Sequence, residues 1–295
     1  VYLYEDRVDQ KLLVIKKRQS SSAGYMEAKL LTALKHKNIV NILGASKSPT
    51  AFIIVMEYVS GGSLTDRLIK PYPISEFLRT AREICDGLAF AHKNRIIHGN
   101  LRPSNILFTE SGQAKITDFG IDEHYGDRND AANWYSLSSE AKSPRADIYA
   151  AGIIFYQMLT GSLPPAAAGA TQHGQDPAYK LLPMEVQAVL ARMIVQKPEA
   201  RYGSFDQVLA DIDAVHAIYS EAESRTFLEA TQLLESNRQA EASSGRQVKL
   251  PAWQLAVLLV MAVILSAAGA VYIVSSGNLN TLLDAWKKLA GFFLK

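Results

Sequence analysis

The spacing of hydrophobic and polar residues divides the chain into a strand-rich beginning and a helix-rich remainder. Within the first sixty residues, three short runs are typical of β-strands: VYLY, KLLVIKK and AFIIVMEYV. Between the second and third runs, the apolar residues of YMEAKLLTALKH recur at helical spacing and predict an amphipathic helix. From Ser75 onward the pattern is mostly helical, with short strand-like pieces at 106–108 and 115–117. The sequence therefore predicts an α+β fold with a small β-rich lobe and a larger α-helical lobe.

Near the C-terminus, twenty consecutive residues carry no charge, from Leu255 to Val274. At about 1.5 Å rise per residue, a helix of this length spans a hydrocarbon core of about 30 Å. Trp253 and Tyr272 lie near its ends, where amphipathic rings favour the membrane interface. A buried core helix is the alternative, but helices of soluble domains normally keep one polar face. We therefore predict a single transmembrane helix over residues 253–276, which anchors the chain in a lipid bilayer.

Two further segments flank this predicted span. Residues 219–252 are polar and rich in Glu, Gln, Ser and Ala, so we expect a helical or disordered juxtamembrane linker. Residues 277–295 place leucines and aromatic residues at helical spacing, with two lysines off that stripe, which is typical of an interfacial amphipathic tail. The globular part is then residues 1–218.

The composition argues against nucleic-acid binding and against a disulfide framework. Lys and Arg total 31, Asp and Glu total 29, and the net charge is +2. The single cysteine, Cys85, excludes an intrachain disulfide and fits a reducing compartment. Its apolar helical surroundings predict a core position rather than a reactive thiol. We expect the globular part to face the cytoplasm, although the lysines and arginines around the predicted span do not fix its orientation.

Ordered motif spacing is the strongest chemical signal in the chain. Residues 97–105 read IHGNLRPSN, and Asp118-Phe119-Gly120 begins thirteen residues after Asn105. This arrangement resembles the eukaryotic-type protein kinase family, in which a catalytic loop H-R-D-x-x-x-x-N precedes D-F-G. Further matches follow in the family's order: LVIK at 13–16, VMEYVSGGSL at 55–64, the stretch 147–161, and Lys197-Pro198 with Arg201. The resemblance implies a bilobal protein kinase fold, with an N-lobe at 1–58, a hinge at 57–62 and a C-lobe at 63–218.

The resemblance also implies a site for ATP and Mg²⁺. Lys16 would contact the α- and β-phosphates, and Glu27 would pair with Lys16 and orient it. Asp118 and Asn105 would supply oxygen ligands to Mg²⁺, the hard donors that this cation prefers. Taken singly, Lys16 and Glu27 are more often solvated surface charges, and Asp118 before Phe-Gly could be a turn residue. The shared order of the motifs favours the nucleotide and metal site.

Adenine would lie against the hinge between the two lobes. Backbone groups of Glu57 and Val59 would hydrogen-bond the base, and Met56 would fill the space behind it. The family pattern implies two further structural groups: Leu31, His98 and Phe119 stacking between the lobes, and a buried ion pair of Glu140 with Arg201.

Three residues of the catalytic loop depart from the family pattern. Asn100 stands where the family has the Asp that accepts the substrate's hydroxyl proton, and a neutral amide cannot accept that proton. General-base assistance is typically worth about 10² to 10⁴ in rate. Gly99 replaces the Arg that would pair with a phosphorylated activation loop. Arg102 replaces the usual Lys of serine/threonine kinases, which changes a compact ammonium into a planar fork. Pro103-Ser104 still resembles the serine/threonine type.

Other departures affect the surroundings of the loop. The activation segment, 121–139, is irregular, with Ser138-Ser139-Glu140 where A-P-E is expected. Glu27 follows Lys16 by only eleven positions, which is short for the family and leaves their pairing open. Val1 stands about where a glycine-rich loop would end, so loss of that loop and truncation of the chain are both compatible with the sequence.

Two functions are consistent with these features. The first is a membrane-anchored pseudokinase, a signalling or scaffolding module that can bind ATP but transfers phosphate poorly. The second is a weakly active serine/threonine kinase that tolerates Asn100. Asn100 together with Gly99 favours the first, and the sequence does not identify the protein substrate or partner.

Overall fold

The computed structural model describes residues 1–5, 10–19, 31–48, 51–119, 135, 142–165 and 176–244. Four predicted segments lie wholly or partly outside these ranges: the first half of the helix around Glu27, most of the activation segment, the transmembrane helix and the amphipathic tail. The chain divides into two compact units. One comprises residues 1–180 with 188–213, and the other comprises 181–187 with 214–295. The first unit contains the predicted N-lobe, most of the predicted C-lobe and every described residue of the candidate site.

The N-terminal lobe is built on a four-stranded antiparallel sheet with strand order β1-β2-β4-β3. Its strands are β1 (Tyr2–Glu5), β2 (Leu12–Gln19), β3 (Ile42–Lys47) and β4 (Ala51–Glu57). In the pairing of β2 with β4, Lys16 lies opposite Ile54 and Val14 lies opposite Met56. Ile54 and Met56 are buried. Because directly opposed residues share a face of the sheet, Lys16 projects from the face that covers the core.

β3 is the strand that the hydrophobic pattern does not predict. Only Ile42 of its six residues is buried, and the remainder includes Gly44 and polar residues. A register shift between Ile42 and Gly44 interrupts the alternation further. The strand forms because β4 offers a hydrogen-bonding partner along its free edge, so tertiary context overrides a weak local propensity.

The C-terminal lobe is mainly helical, with a small hairpin. Its helices are α1 (Leu64–Arg67), α2 (Ile74–Lys93), α3 (Pro144–Thr160), α4 (Pro177–Lys180), α5 (Met184–Ile194) and α6 (Phe205–Ser244). The two strands β5 (Ile106–Phe108) and β6 (Ala114–Ile116) pair antiparallel. Their positions agree with the strand-like pieces that the sequence predicts, β6 beginning one residue earlier. The hairpin lies between the catalytic loop and Asp118, and it sets the distance between these two parts of the site.

α2 is amphipathic and turns one face to the core. Phe77, Ala81, Ile84 and Leu88 are buried at intervals of three and four residues. Cys85 is fully buried on the same helix, which confirms its predicted core position. Burial raises the pKa of the Cys85 thiol well above its ordinary value, so the thiol stays protonated and unreactive.

α3 runs through the centre of the C-terminal lobe and is buried on nearly every side. It begins after Ser143, whose Oγ accepts a hydrogen bond from the Ala146 N–H at 3.1 Å. It ends before Gly161, whose φ of 76° gives the left-handed conformation of a helix C-cap. The ring of Phe155 meets that of Phe77 edge-on at 5.6 Å, which joins α3 to α2.

α6 continues without interruption from Phe205 to Ser244 and passes the predicted domain boundary at residue 218. Of the two alternatives for the predicted linker, residues 219–244 therefore adopt the helical one. Among the helices of the described ranges, none combines the length and the apolar character that a bilayer crossing requires. The span predicted at 253–276 is not among the described residues and stays a prediction.

Candidate active site

Asp147, in the first turn of α3, holds the catalytic loop in place. The residue is 1% exposed. Its Oδ2 accepts a hydrogen bond from the backbone N–H of His98, and its Oδ1 accepts one from the backbone N–H of Gly99, both at 2.8 Å. His92 Nε2 lies 2.8 Å from Oδ2. A buried carboxylate is tolerated when donors surround it, and these contacts fix the backbone that immediately precedes Asn100.

The sequence places Asp147 in the central helix but assigns it no role in the site. A signal was available, because it is the acidic residue in the first turn of an otherwise apolar, buried helix. This signal does not identify the residues that Asp147 contacts, because His98 lies forty-nine residues earlier in the chain.

His98 connects the catalytic loop to the residues that follow β6. Its Nε2 lies 3.0 Å from the carbonyl oxygen of Thr117, and its Nδ1 accepts a hydrogen bond from the Asn100 N–H at 3.2 Å. The centroids of the His98 and Phe119 rings lie 4.7 Å apart with the ring planes tilted by 43°, so the two residues are in contact, as the resemblance implies, but in a tilted geometry. Burial lowers the pKa of His98, so the imidazole is neutral, with Nε2–H as donor and Nδ1 as acceptor.

Asn100, Arg102 and Asn105 form a connected group within the loop. Arg102 Nη2 donates a hydrogen bond to Asn100 Oδ1 at 2.6 Å. A guanidinium can only donate, so the amide atom that faces it must be the oxygen. Asn105 Nδ2 donates to the backbone carbonyl of Asn100 at 2.9 Å. The backbone carbonyl of Asn105 accepts a hydrogen bond from the Thr117 N–H at 2.9 Å. These contacts tie the catalytic position to the end of β6.

Lys16 and Asp118 form an ion pair between β2 and the segment after β6. The Nζ atom lies 2.5 Å from Oδ1 and 2.6 Å from Oδ2. The two side chains are 13% and 12% exposed, so water screens their attraction only in part. Asp118 has a φ of 62°, a left-handed conformation that Asp tolerates better than most residues. The structure thus brings the predicted phosphate-binding lysine to the predicted metal-binding carboxylate.

Glu27, the partner that the resemblance implies for Lys16, lies outside the described residues. The Lys16–Glu27 pair therefore stays a prediction, and Asp118 is the carboxylate that the structure places against Lys16.

The residues predicted to surround adenine lie together at the end of β4. Met56 is buried, and its Sδ is 4.0 Å from Thr117 Oγ1. Glu57 is the last residue of β4, and Val59 follows it in a half-buried position. Met56 and Phe119 line a mainly apolar cavity of about 10 Å³, the size of one water molecule, which Asp118 also borders.

Gly99 is covered by another side chain where the family has an arginine. Its φ is 68°, and a Cβ at this position would lie 2.8 Å from Cδ of Lys142. The aliphatic part of Lys142 therefore occupies the space into which a side chain at position 99 would extend.

Arg201 is a buried structural residue of the C-terminal lobe. It is 3% exposed and donates hydrogen bonds to the carbonyl oxygens of Val195, Gln196 and Arg145 at 2.7, 2.9 and 3.0 Å. Glu140, its predicted ion partner, is outside the described residues, so that pair stays a prediction.

The residues present fit a nucleotide and Mg²⁺. Asp118 and Asn105 offer a carboxylate and an amide, which are hard oxygen donors, and Lys16 brings a positive charge to the same place. In the described ranges, no cluster of three or more His, Cys, Asp or Glu residues could hold a metal ion by itself. That is expected of Mg²⁺ sites in which phosphate oxygens complete the coordination.

Comparison with known proteins identifies the family. A family model described as a protein kinase domain matches residues 1–212, and the chain therefore belongs to the protein kinase family. Members of this family generally use ATP and Mg²⁺. The match also agrees with the β-sheet N-lobe and helical C-lobe described above.

Several curated serine/threonine kinases are similar to this chain. A probable serine/threonine-protein kinase of Clostridium acetobutylicum is 33% identical over 217 residues, which are 65% of this chain and 33% of the relative. The kinase PknB of Mycobacterium leprae is 28% identical over 219 residues, with coverage of 65% and 35%. PrkC of Bacillus subtilis is 30% identical over 209 residues, with coverage of 63% and 32%. The matched region thus spans about a third of the length of these relatives.

Proposed function

We propose that this chain is a membrane-anchored, kinase-like signalling module that binds ATP but transfers its γ-phosphate poorly. The observation that carries the proposal is the contrast within one site. Lys16 and Asp118 are in contact at 2.5 Å, whereas the catalytic position holds Asn100. The residues that would bind nucleotide are thus retained, whereas the residue that would accept the proton is replaced.

Nucleotide binding is supported by the charge and the backbone geometry of the site. Lys16 would hold the α- and β-phosphates, and the hinge backbone at Glu57 and Val59 would hold the base. Mg²⁺, when bound at Asp118 and Asn105, would neutralise phosphate charge. Because positioning and charge neutralisation supply most of the rate in phosphoryl transfer, the remaining residues preserve part of the machinery.

Slow transfer follows from the chemistry of Asn100. An amide oxygen accepts hydrogen bonds but does not take up a proton near neutral pH, so the substrate hydroxyl would lack its base. Arg102 already donates to that oxygen at 2.6 Å, which further limits its availability to a substrate hydroxyl. The alternative function is a weakly active serine/threonine kinase, favoured by the intact Asn105 and by the kinases of similar sequence.

The membrane anchor at residues 253–276 and a cytoplasmic position of the kinase-like domain belong to the same proposal. They are supported by the uncharged twenty-residue segment and by the ATP that a cytoplasmic site would encounter. Protease treatment of sealed cells tests this topology, and loss of the kinase-like domain while the membrane stays intact would contradict it.

Radiolabelled phosphate transfer tests the proposed chemistry. The unmodified chain, Asn100→Asp and Asp118→Ala are incubated with Mg-ATP and a generic protein substrate. We expect very slow or undetectable transfer by the unmodified chain, a measurable increase for Asn100→Asp, and none for Asp118→Ala. Robust transfer by the unmodified chain would refute the proposed pseudokinase, and slow but reproducible transfer that Asp118→Ala abolishes would favour the alternative function.

A further inference from the structure

A partly buried ion pair connects β6 to the hinge end of β4. Lys115 Nζ donates to Glu57 Oε1 at 2.7 Å, and the two side chains are 15% and 31% exposed. The sequence assigns the backbone of Glu57 to the hinge but gives Lys115 no role, because Lys115 lies fifty-eight residues from Glu57 along the chain. The contact is better shielded from water than the ion pairs on the surface of α2, so it has more effect on local geometry.

Glu57 is held at three points. Its Oε1 also accepts a hydrogen bond from the Asn41 N–H at 2.8 Å, and its own N–H donates to the Asn41 carbonyl at 3.0 Å. The ion pair with Lys115 is the third contact and the one that supplies a full opposite charge. Both the carboxylate and the backbone of Glu57 are therefore fixed at the point where β4 ends.

The segment that carries Lys115 is itself rigidly paired. Ile116 donates its N–H to the Asn38 carbonyl at 2.9 Å and accepts the Val40 N–H at 2.8 Å. Asp118 follows two residues later, so one short segment carries the carboxylate that meets Lys16 and the ammonium that meets Glu57. β6 and the two residues after it therefore contact both the phosphate side and the hinge side of the site.

We infer that Lys115 is a positioning residue for adenine, acting through Glu57 on the hinge backbone. The inference rests on the proposed function, because it concerns the base of the same nucleotide. Without Lys115, the Glu57 carboxylate keeps one backbone donor and turns toward water for the rest of its hydrogen bonds. The backbone at the end of β4 then gains conformational freedom, and this freedom must be lost again when a base binds. The loss weakens binding of the base and leaves the phosphate contacts unaffected.

Equilibrium calorimetry on the 295-residue chain separates these two parts of the nucleotide. Adenosine probes the base and sugar, and inorganic tripolyphosphate with Mg²⁺ probes the phosphate side. We expect Lys115→Met to weaken adenosine binding roughly tenfold and to leave tripolyphosphate binding unchanged. Lys115→Arg, which retains the charge, is expected to restore most of the adenosine affinity.

Lys93→Met is the matched control. Lys93 forms an ion pair of equal length, 2.7 Å, with Asp206, but its side chain is 64% exposed and lies away from the hinge. It should leave both affinities unchanged. Adding Glu57→Gln to Lys115→Met is expected to weaken adenosine binding little further, because both changes break the same contact.

The outcomes distinguish this inference from the proposed function. If the unmodified chain binds ATP and Lys115→Met leaves adenosine affinity unchanged, the positioning role is wrong while the proposed function stands. An equal loss of adenosine and tripolyphosphate binding would indicate a merely structural role and would also overturn the inference. Absence of any nucleotide binding by the unmodified chain would overturn both.

Discussion

Restoring an aspartate at position 100 is expected to recover only part of the phosphoryl transfer while Arg102 remains. Arg102 Nη2 lies 2.6 Å from Asn100 Oδ1, and Arg102 Nε is buried without a hydrogen-bond partner among the described residues. Nε–H and Nη2–H point to the same side of a guanidinium. A carboxylate at position 100 would present its second oxygen to Nε–H and enter a two-bond fork.

The size of the effect follows from two opposing contributions. A well-placed general base is worth about 10² to 10⁴ in rate. A neighbouring cation lowers the pKa of an aspartate by about 1 to 3, and each pKa unit can weaken it as a base by up to about tenfold. We therefore expect Asn100→Asp to raise the transfer rate about 10- to 100-fold. Adding Arg102→Lys is expected to raise the transfer rate about tenfold further. An ammonium binds one carboxylate oxygen and leaves the other free to accept the substrate proton.

The assay is transfer of radiolabelled phosphate to a generic protein substrate at saturating Mg-ATP. Arg102→Lys alone is the matched control and is expected to give no increase, because the catalytic position still holds an amide. A double variant no faster than Asn100→Asp would refute the fork with Arg102. A silent Asn100→Asp variant would show that another departure from the family pattern had already disabled the site.

Three further expectations concern the catalytic loop. Asp147→Ala removes the carboxylate that accepts from the N–H groups of His98 and Gly99, and it is expected to lower the free energy of unfolding by about 2–4 kcal/mol. Urea denaturation measures this loss, and a loss no larger than that of the exposed Asp213→Ala control would contradict the expectation. Gly99→Arg combines a φ of 68° with a clash against Lys142, so we expect a loss of about 1–3 kcal/mol that Lys142→Ala partly relieves. Because burial lowers the pKa of His98 below its ordinary 6.5, the unfolded chain takes up a proton more readily than the folded chain. Stability is then expected to fall as pH drops through 6.5 and to level off below the folded pKa, and His98→Gln should flatten this slope.

The parts of the fold that the sequence predicts are those with strong local patterns. β2 and β4 each contain a short apolar run with β-branched residues, and turn residues separate the two strands of the hairpin at 106–116, so these strands lie where expected. β3 has no such pattern and depends on pairing with β4. The helical state of residues 219–244 was one of two alternatives, because a polar segment without a clear apolar stripe does not decide between helix and disorder.

The candidate site is predictable where a motif carries it and not where the fold creates it. The order of the motifs predicts that Lys16, Asn105 and Asp118 belong to one nucleotide and metal site. The structure places Lys16 against Asp118. Asp147 and Lys115 act on residues forty-nine and fifty-eight positions away. The spacing of residues in one sequence does not predict such contacts, because the topology of the fold determines which distant segments meet.

The most direct measurement is the fate of ATP bound to the unmodified chain. The 295-residue protein is mixed with an equimolar amount of γ-labelled Mg-ATP, the complex is separated from free nucleotide, and the bound nucleotide is identified by chromatography over time. We predict that it is recovered as ATP, with no label on the protein, and that Asp118→Ala retains little nucleotide. Recovery as ADP with label on the protein, at a rate equal to that of Asn100→Asp, would contradict a site that binds ATP without transferring its phosphate.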